Sequence, residues 1–267
     1  MMLEHARLIR PGRCLLAAAA AWIGALLAGV SLSVPLAFGV TSIFLIAAGG
    51  FALNDFFDAE SDKLNKPNRP VAKGKVGKRS ALAISAAAFA FGIAFAYLIN
   101  FDTLIVAVIA TGLLVAYSNV LKKTMLIGNL IVSGLAALAF IFGGLINGNY
   151  QPVLPLALMI FLTNTGREIY KSIDNSLIDK RYDENSIAMK MGVINARIVG
   201  NIFLIAAVIF SFVPYLLGLL ETTYLFFAVI SDIIFLLSAV LPAKYGSKLV
   251  AVGIMIAVFS FLSGSIA

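Results

Sequence analysis

Apolar runs of bilayer-crossing length recur along the whole of this chain, and no other feature limits its fold so severely. Runs at approximately 14–31, 35–53, 81–99, 103–120, 127–147, 153–171, 195–217, 223–241 and 248–266 approach the roughly 20 residues that a helix needs to span the hydrocarbon core. Hydrophobic residues make up 61% of the 267 and charged residues 12%, too little polar material for a soluble domain of this size. The sequence therefore predicts an all-α integral membrane protein of about nine transmembrane helices, forming one domain over 1–267. Arg7, Arg10 and Arg13 before an Ala-rich run resemble the start of a signal peptide. So many equally apolar runs follow that this one reads as the first membrane helix.

The basic residues divide cleanly. All 20 Lys and Arg lie before the first run or around the segments joining runs two and three, four and five, six and seven, and eight and nine. The opposite connections, 31–34, 100–102, 147–151 and 218–222, hold none. Positive charge marks the cytoplasmic face, so a multi-pass protein of the cell membrane is expected, with its N-terminus cytoplasmic and its C-terminus on the opposite side. The net charge of +7 becomes a one-sided belt facing membrane lipids or an anionic substrate. No nucleic-acid partner is expected, and the oligomeric state is left open.

With one Cys (Cys14) and one His (His5), neither an intrachain disulfide nor a zinc site can be built. Chemistry falls to carboxylates, Lys, Arg, Asn and Tyr. Nine of the 13 acids lie in the two long cytoplasmic segments, about 54–80 and 167–194. In the first, Asn54, Asp58 and Asp62 are four apart, which on a helix turning 100° per residue sets them within about 80° of one another. Three oxygen ligands on one face suit Mg²⁺, which binds through one or two carboxylates plus substrate phosphates. The plainer reading, a solvated acidic helix end, is weakened by the Lys and Arg that follow. In the second segment Asn175, Asp179 and Asp183 repeat the spacing, and two such faces can clamp a diphosphate. Asp174, five residues before Asp179, joins them only if the helix unwinds or carries a π-bulge. Arg167 and Lys171 share a face suited to phosphate oxygens, and Arg69, Lys73 and Lys122 offer the same chemistry. For Lys75, Lys78 and Lys244, the ordinary richness of cytoplasmic loops in basic residues suffices.

At these segments the sequence resembles the UbiA superfamily of intramembrane prenyltransferases. Its first signature stands as Asn54-Asp55, Asp58 and Asp62 followed by Arg69-Pro70. Arg10-Pro11, Tyr117-Ser118 with Lys122, and Arg167-Glu168 with Lys171 extend the likeness over most of the chain. The second signature departs from the family's pattern: Ser172 and Asn175 replace Asp, Ile178 and Asp183 replace Gly, and Ser186-Ile187 replaces Thr-Leu. Two carboxylates are missing, with Asp174 and Asp183 as possible replacements.

The resemblance implies a UbiA-like bundle with an active-site cap on the cytoplasmic side. It implies Mg²⁺-dependent transfer of a prenyl group from a prenyl diphosphate to a lipophilic acceptor. Asp58, Asp62 and Asp179 would be catalytic; Asn54, Asp58, Asp62 and Asp179, with Asp174, Asn175 and Asp183, would hold metal. Arg10, Arg69, Tyr117, Lys122, Arg167 and Lys171 would bind substrate. Asn-Asp-Phe-Phe-Asp followed by Asn-Lys-Pro-Asn-Arg-Pro is similar to the archaeal branch that adds a geranylgeranyl chain to geranylgeranylglyceryl phosphate in ether-lipid synthesis. Aromatic acceptors of quinone biosynthesis are the rival within the family. Outside it stand a catalytically silent homologue and an ion-coupled transporter, the latter supported by Asp232 inside the eighth run.

Overall fold

The computed structural model describes residues 2–124, 126–178 and 187–265, and among them every regular element is a helix. A short α1 (Met2–Ile9) leads into α2 (Pro11–Leu27), which begins on proline, the residue that gives up no hydrogen bond at a first helical position. Ser33 opens α3 (Val34–Phe57) by accepting a hydrogen bond from the Leu36 N–H at 3.4 Å, and α4 (Ala59–Asn65) follows after Asp58 alone. Beyond a tight turn come α5 (Lys78–Tyr97) and α6 (Phe101–Asn119), the latter capped by Asn100, whose side chain accepts from the Thr103 N–H at 2.9 Å. Next are α7 (Ile127–Leu145) and α8 (Leu154–Ile178). The last elements are α9 (Ile187–Met191), α10 (Val193–Ser211), α11 (Val213–Leu216), α12 (Thr222–Val240) and α13 (Ala243–Ser265).

Each apolar run is occupied by a helix. Among the described residues seven segments are long and apolar enough to cross a membrane: α3, α5, α6, α7, Val193–Leu216, α12 and α13. Of the other two, α2 has 17 residues, and α8 turns polar at Thr163. The apolar run ends near 171, while the helix that carries it, α8, continues to Ile178. Ile169, Tyr170 and Ile173 are fully buried, so an apolar stripe persists on one side of the helix after the sequence has turned polar.

The chain forms two compact units, Met1–Leu121 with Leu138–Tyr150, and Lys122–Ala137 with Gln151–Ala267. In the first, α3 packs on α2, α5 and α6. Ser42 Oγ donates to Gly92 O at 2.7 Å and Ser85 Oγ to Gly49 O at 2.9 Å, stitching α3 to α5. Helix α2 meets the Phe140–Gly143 turn of α7 backbone to backbone, since a Cβ on Gly24 would strike Phe140 O and one on Gly143 would strike Ala21 O. Small residues permit such contact where apolar side chains gain nothing over lipid.

In the second unit α8 packs on α10 and α13, and α12 on α13. The Tyr170 ring lies against Gly200 and Gly246, and its hydroxyl bonds Asn201 Oδ1. Arg197 on α10 donates to Ala239 O at 3.0 Å and Leu241 O at 2.5 Å, capping the end of α12. Asp232, the intramembrane acid, is buried on α12, where Ser211 Oγ lies 2.6 Å from one carboxylate oxygen. That bond makes it a link between α10 and α12.

Candidate active site

The site begins where α3 runs into α4. The Asp58 N–H donates to Asn54 O at 2.9 Å and the Asp62 N–H to Asp58 O at 2.8 Å. Helical hydrogen bonding thus continues through the junction and keeps Asn54, Asp58 and Asp62 in i, i+4, i+8 register. Beneath them Leu8, Ala52, Ala59, Val71, Val76 and Ala81 form a buried apolar cluster. That cluster draws α1, α3, α4, α5 and the 66–77 turn to one point, and the turn delivers Arg69.

Arg69 gathers the acids. Its guanidinium pairs with Asp62 and lies 3.4 Å from Asp55 Oδ1 and 3.6 Å from Asp58 Oδ2. Arg10 enters from the α1–α2 junction, its Nη2 2.5 Å from Asp55 Oδ1 and its guanidinium 5.0 Å from the Phe51 ring centroid. Arg10 is the one non-glycine residue with positive φ among the described residues (φ 51°), a conformation costing about 1 kcal/mol. The buried pairing with Asp55 holds it there. Burial lowers the pKa of Arg10 most, with Arg69 and Arg13 adding to the effect and Asp55 opposing it. Lys66 is likewise lowered, by burial first and then by Arg69, with Asp62 and Asp58 opposing. Farther out, Glu60 is held to about 2 by hydrogen bonds from Lys78 and Lys63, and so ties α4 to α5.

These residues fit a hard divalent cation. Every donor on the face is oxygen, and Asn54 Oδ1 is buried with no hydrogen-bond partner among the described residues, as a ligand awaiting a cation would be. No three His, Cys, Asp or Glu side chains form a ready-made cage among the described residues. Mg²⁺ is commonly held by one or two carboxylates and completed by substrate oxygens.

The other predicted residues fall elsewhere. Tyr117 is half-buried near the end of α6, in the first unit, and Lys122 lies in the turn Leu121–Lys123. In the second unit Arg167 and Lys171 on α8 flank Glu168, at 3.3 and 3.0 Å. Asp174 is half-buried and Asn175 exposed near the end of that helix. Asp179 and Asp183 lie outside the described residues. Sequence reasoning gave no role to Asp55, the buried hub between two arginines, nor to Phe51 and Lys66. Its one signal was that Asp55 lies seven residues before Asp62, about 20° from it around the helix, so that it borders the three-ligand face.

The chain's likenesses agree with this arrangement. A sequence model of the UbiA prenyltransferase family matches residues 15–261. The digeranylgeranylglyceryl phosphate synthase of Methanopyrus kandleri is 34% identical over 268 residues, 98% of this chain and 99% of that one. The synthase of the same name from Methanococcoides burtonii is 35% identical over 281 residues, 99% and 100% of the two chains. A solved structure from work on digeranylgeranylglyceryl phosphate synthase in membranes aligns with a TM-score of 0.90 at 31% identity, over 99% of this chain and 98% of the other. A UbiA homolog from Archaeoglobus fulgidus bound to GPP and Mg²⁺ shares the fold, with a TM-score of 0.72 at 19% identity over 97% and 99% of the two chains. The chain belongs to the UbiA prenyltransferase family and is a multi-pass membrane prenyltransferase.

Proposed function

We propose that the reaction is Mg²⁺-dependent transfer of a geranylgeranyl group from geranylgeranyl diphosphate to geranylgeranylglyceryl phosphate, a step of archaeal ether-lipid synthesis. The observation that carries the metal half of this reading is the i, i+4, i+8 face of Asn54, Asp58 and Asp62 beside Arg69, with Asn54 Oδ1 buried and unpartnered among the described residues. The choice of acceptor rests on whole-length likeness to synthases of that name at 34–35% identity. The finer topology belongs to the same reading: nine spans, all of 1–267 working as one prenyltransferase domain, an active face and N-terminus on the cytoplasmic side of the cell membrane, and the C-terminus opposite.

Asn54, Asp58 and Asp62 would hold one Mg²⁺, and the divergent second signature, Asp179 with Asp174, Asn175 and Asp183, would hold a metal of its own. When bound, the ion supplies positive charge to diphosphate oxygens as the allylic C–O bond breaks. Arg69, Lys122, Arg167 and Lys171 would place fixed positive charge where the leaving group turns negative, stabilising the transition state more than the ground state. Arg10 and Tyr117 complete the substrate-binding set. Asp55 anchors two of these arginines, so neither has to be ordered at the moment of reaction.

The test is transfer of radiolabelled geranylgeranyl diphosphate, with Mg²⁺, to geranylgeranylglyceryl phosphate and to 4-hydroxybenzoate in parallel. Product on the glyceryl phosphate alone supports the reading. Product on the aromatic acid alone moves the chain to the quinone branch. A transporter reading would require proton-coupled uptake by vesicles that is lost in Asp232→Asn.

A further inference from the structure

Two buried hydrogen-bond donors in the second unit have no partner among the described residues: Asn129 Nδ2 on α7 and Arg167 Nε on α8. They belong to one seam. Asn164 Nδ2 donates to Ser133 Oγ at 3.3 Å, and Ser133 Oγ donates in turn to Asn129 O at 2.8 Å. The two helices are joined by the short segment 146–153 and so run antiparallel. Asn129 lies one turn before Ser133, and Glu168 one turn after Asn164. The contact between Ser133 and Asn164 therefore sets Asn129 level with Arg167 and Glu168. The acceptor at that level, the Glu168 carboxylate, is committed to Arg167 and Lys171. Buried donors are almost always satisfied, so two unsatisfied ones at one level, one of them on a guanidinium, fit a group that only accepts. An anionic oxygen satisfies both donors and also answers the guanidinium's charge, which a neutral carbonyl does not.

We infer that Asn129 is a substrate-binding residue, its amide N–H and the Arg167 Nε–H together holding a phosphoryl oxygen, with Ser133 and Asn164 as the positioning residues that set the α7–α8 register. This rests on the reading of the chain as an enzyme of phosphorylated prenyl substrates. The oxygen has two possible sources, the diphosphate of the prenyl donor and the phosphate of the lipid acceptor.

The test uses full-length protein in detergent and compares wild type with Asn129→Asp, Asn129→Ala and Ser133→Ala. Asn129→Asp is isosteric and sets a carboxylate where a donor stood, so it spares packing while repelling phosphate. KM is measured separately for geranylgeranyl diphosphate and for geranylgeranylglyceryl phosphate, and equilibrium binding is measured with inorganic pyrophosphate and with glycerol phosphate. The expected result for both Asn129 variants is a loss of about tenfold in binding to one probe and in KM for the matching substrate, the scale of one hydrogen bond to a charged group. The substrate affected identifies the source. If the oxygen belongs to the lipid acceptor's phosphate, kcat stays within about twofold, because uniform binding moves KM alone; if it belongs to the departing diphosphate, kcat falls together with binding. Ser133→Ala gives a smaller loss of the same kind. Unchanged binding of both probes with both KM values unchanged overturns the inference, and so does a fall in kcat alone. Absence of transfer by wild type would sink the proposed function separately, while the two binding arms still decide on Asn129.

Discussion

Replacing Asp55 by Asn removes one negative charge and leaves the shape of the site intact. Asp55 is 1% exposed, accepts from Arg10 at 2.5 Å and faces Arg69 at 3.4 Å. Breaking a buried pair by neutralising one partner costs about 3–5 kcal/mol. Here the loss is smaller, because Arg10 retains 22% side-chain exposure and the Phe51 ring, and Arg69 retains Asp62 and Asp58. A destabilisation of about 2–3 kcal/mol follows, which for a chain of this size lowers Tm by roughly 5–10 °C. The protein carries its own reporter, since its single cysteine, Cys14, is buried four residues after Arg10 and donates to Ile9 O at 3.0 Å. Thermal labelling of Cys14 by a thiol-reactive fluorophore in detergent reads the melting of α2 directly. A Tm within about 2 °C of wild type would refute the assignment of Asp55 as the anchor of the arginine pair.

Further outcomes follow from the same geometry. Asn54→Ala removes an oxygen ligand without changing charge, and should raise the Mg²⁺ concentration for half-maximal activity by about tenfold or more, as read by metal titration. Gly200→Ala or Gly246→Ala brings a Cβ to 2.9 Å from the Tyr170 ring, and should cost about 1–3 kcal/mol by overpacking. Tyr170→Phe, which loses only the bond to Asn201, should cost about 1 kcal/mol; thermal melts rank the three. Glu60 is held to about 2 from an ordinary value of 4.5. Its contribution is therefore complete above pH 4.5 and lost as pH falls through about 2, and Glu60→Gln should flatten that acid limb. The residue is exposed, so the neutral-pH effect should be small and vanish in high salt.

The membrane helices were legible because lipid demands a length and an apolarity that the sequence displays openly. The face of Asn54, Asp58 and Asp62 was legible for a related reason: the backbone bonds across the α3–α4 junction keep the register that the spacing implied. Local periodicity does not reach long-range pairing. Arg10, Asp55 and Arg69 come from three segments, and a folded apolar cluster rather than any spacing brings them together. Helix α8 outlasts its apolar run because average polarity rises after Thr163 while Ile169, Tyr170 and Ile173 stay buried. Tyr170 owes its place to Gly200 and Gly246, whose fit to a distant ring no sequence window contains. The ligands proposed at Asp179 and Asp183 lie outside the described residues, so for the second signature the departures from the family's pattern remain the guide.

The most direct test of the central claim, that the α3–α4 acidic face binds the prenyl donor through a divalent cation, is binding of geranylgeranyl diphosphate to purified wild type and Asp58→Ala with Mg²⁺ and with EDTA. Single-turnover transfer would be followed on the same samples. The account predicts tight binding and product for wild type with Mg²⁺ only, and for Asp58→Ala a fall in transfer of about 10³ or more. Equal binding and transfer by the two proteins, or by wild type with and without Mg²⁺, would contradict it.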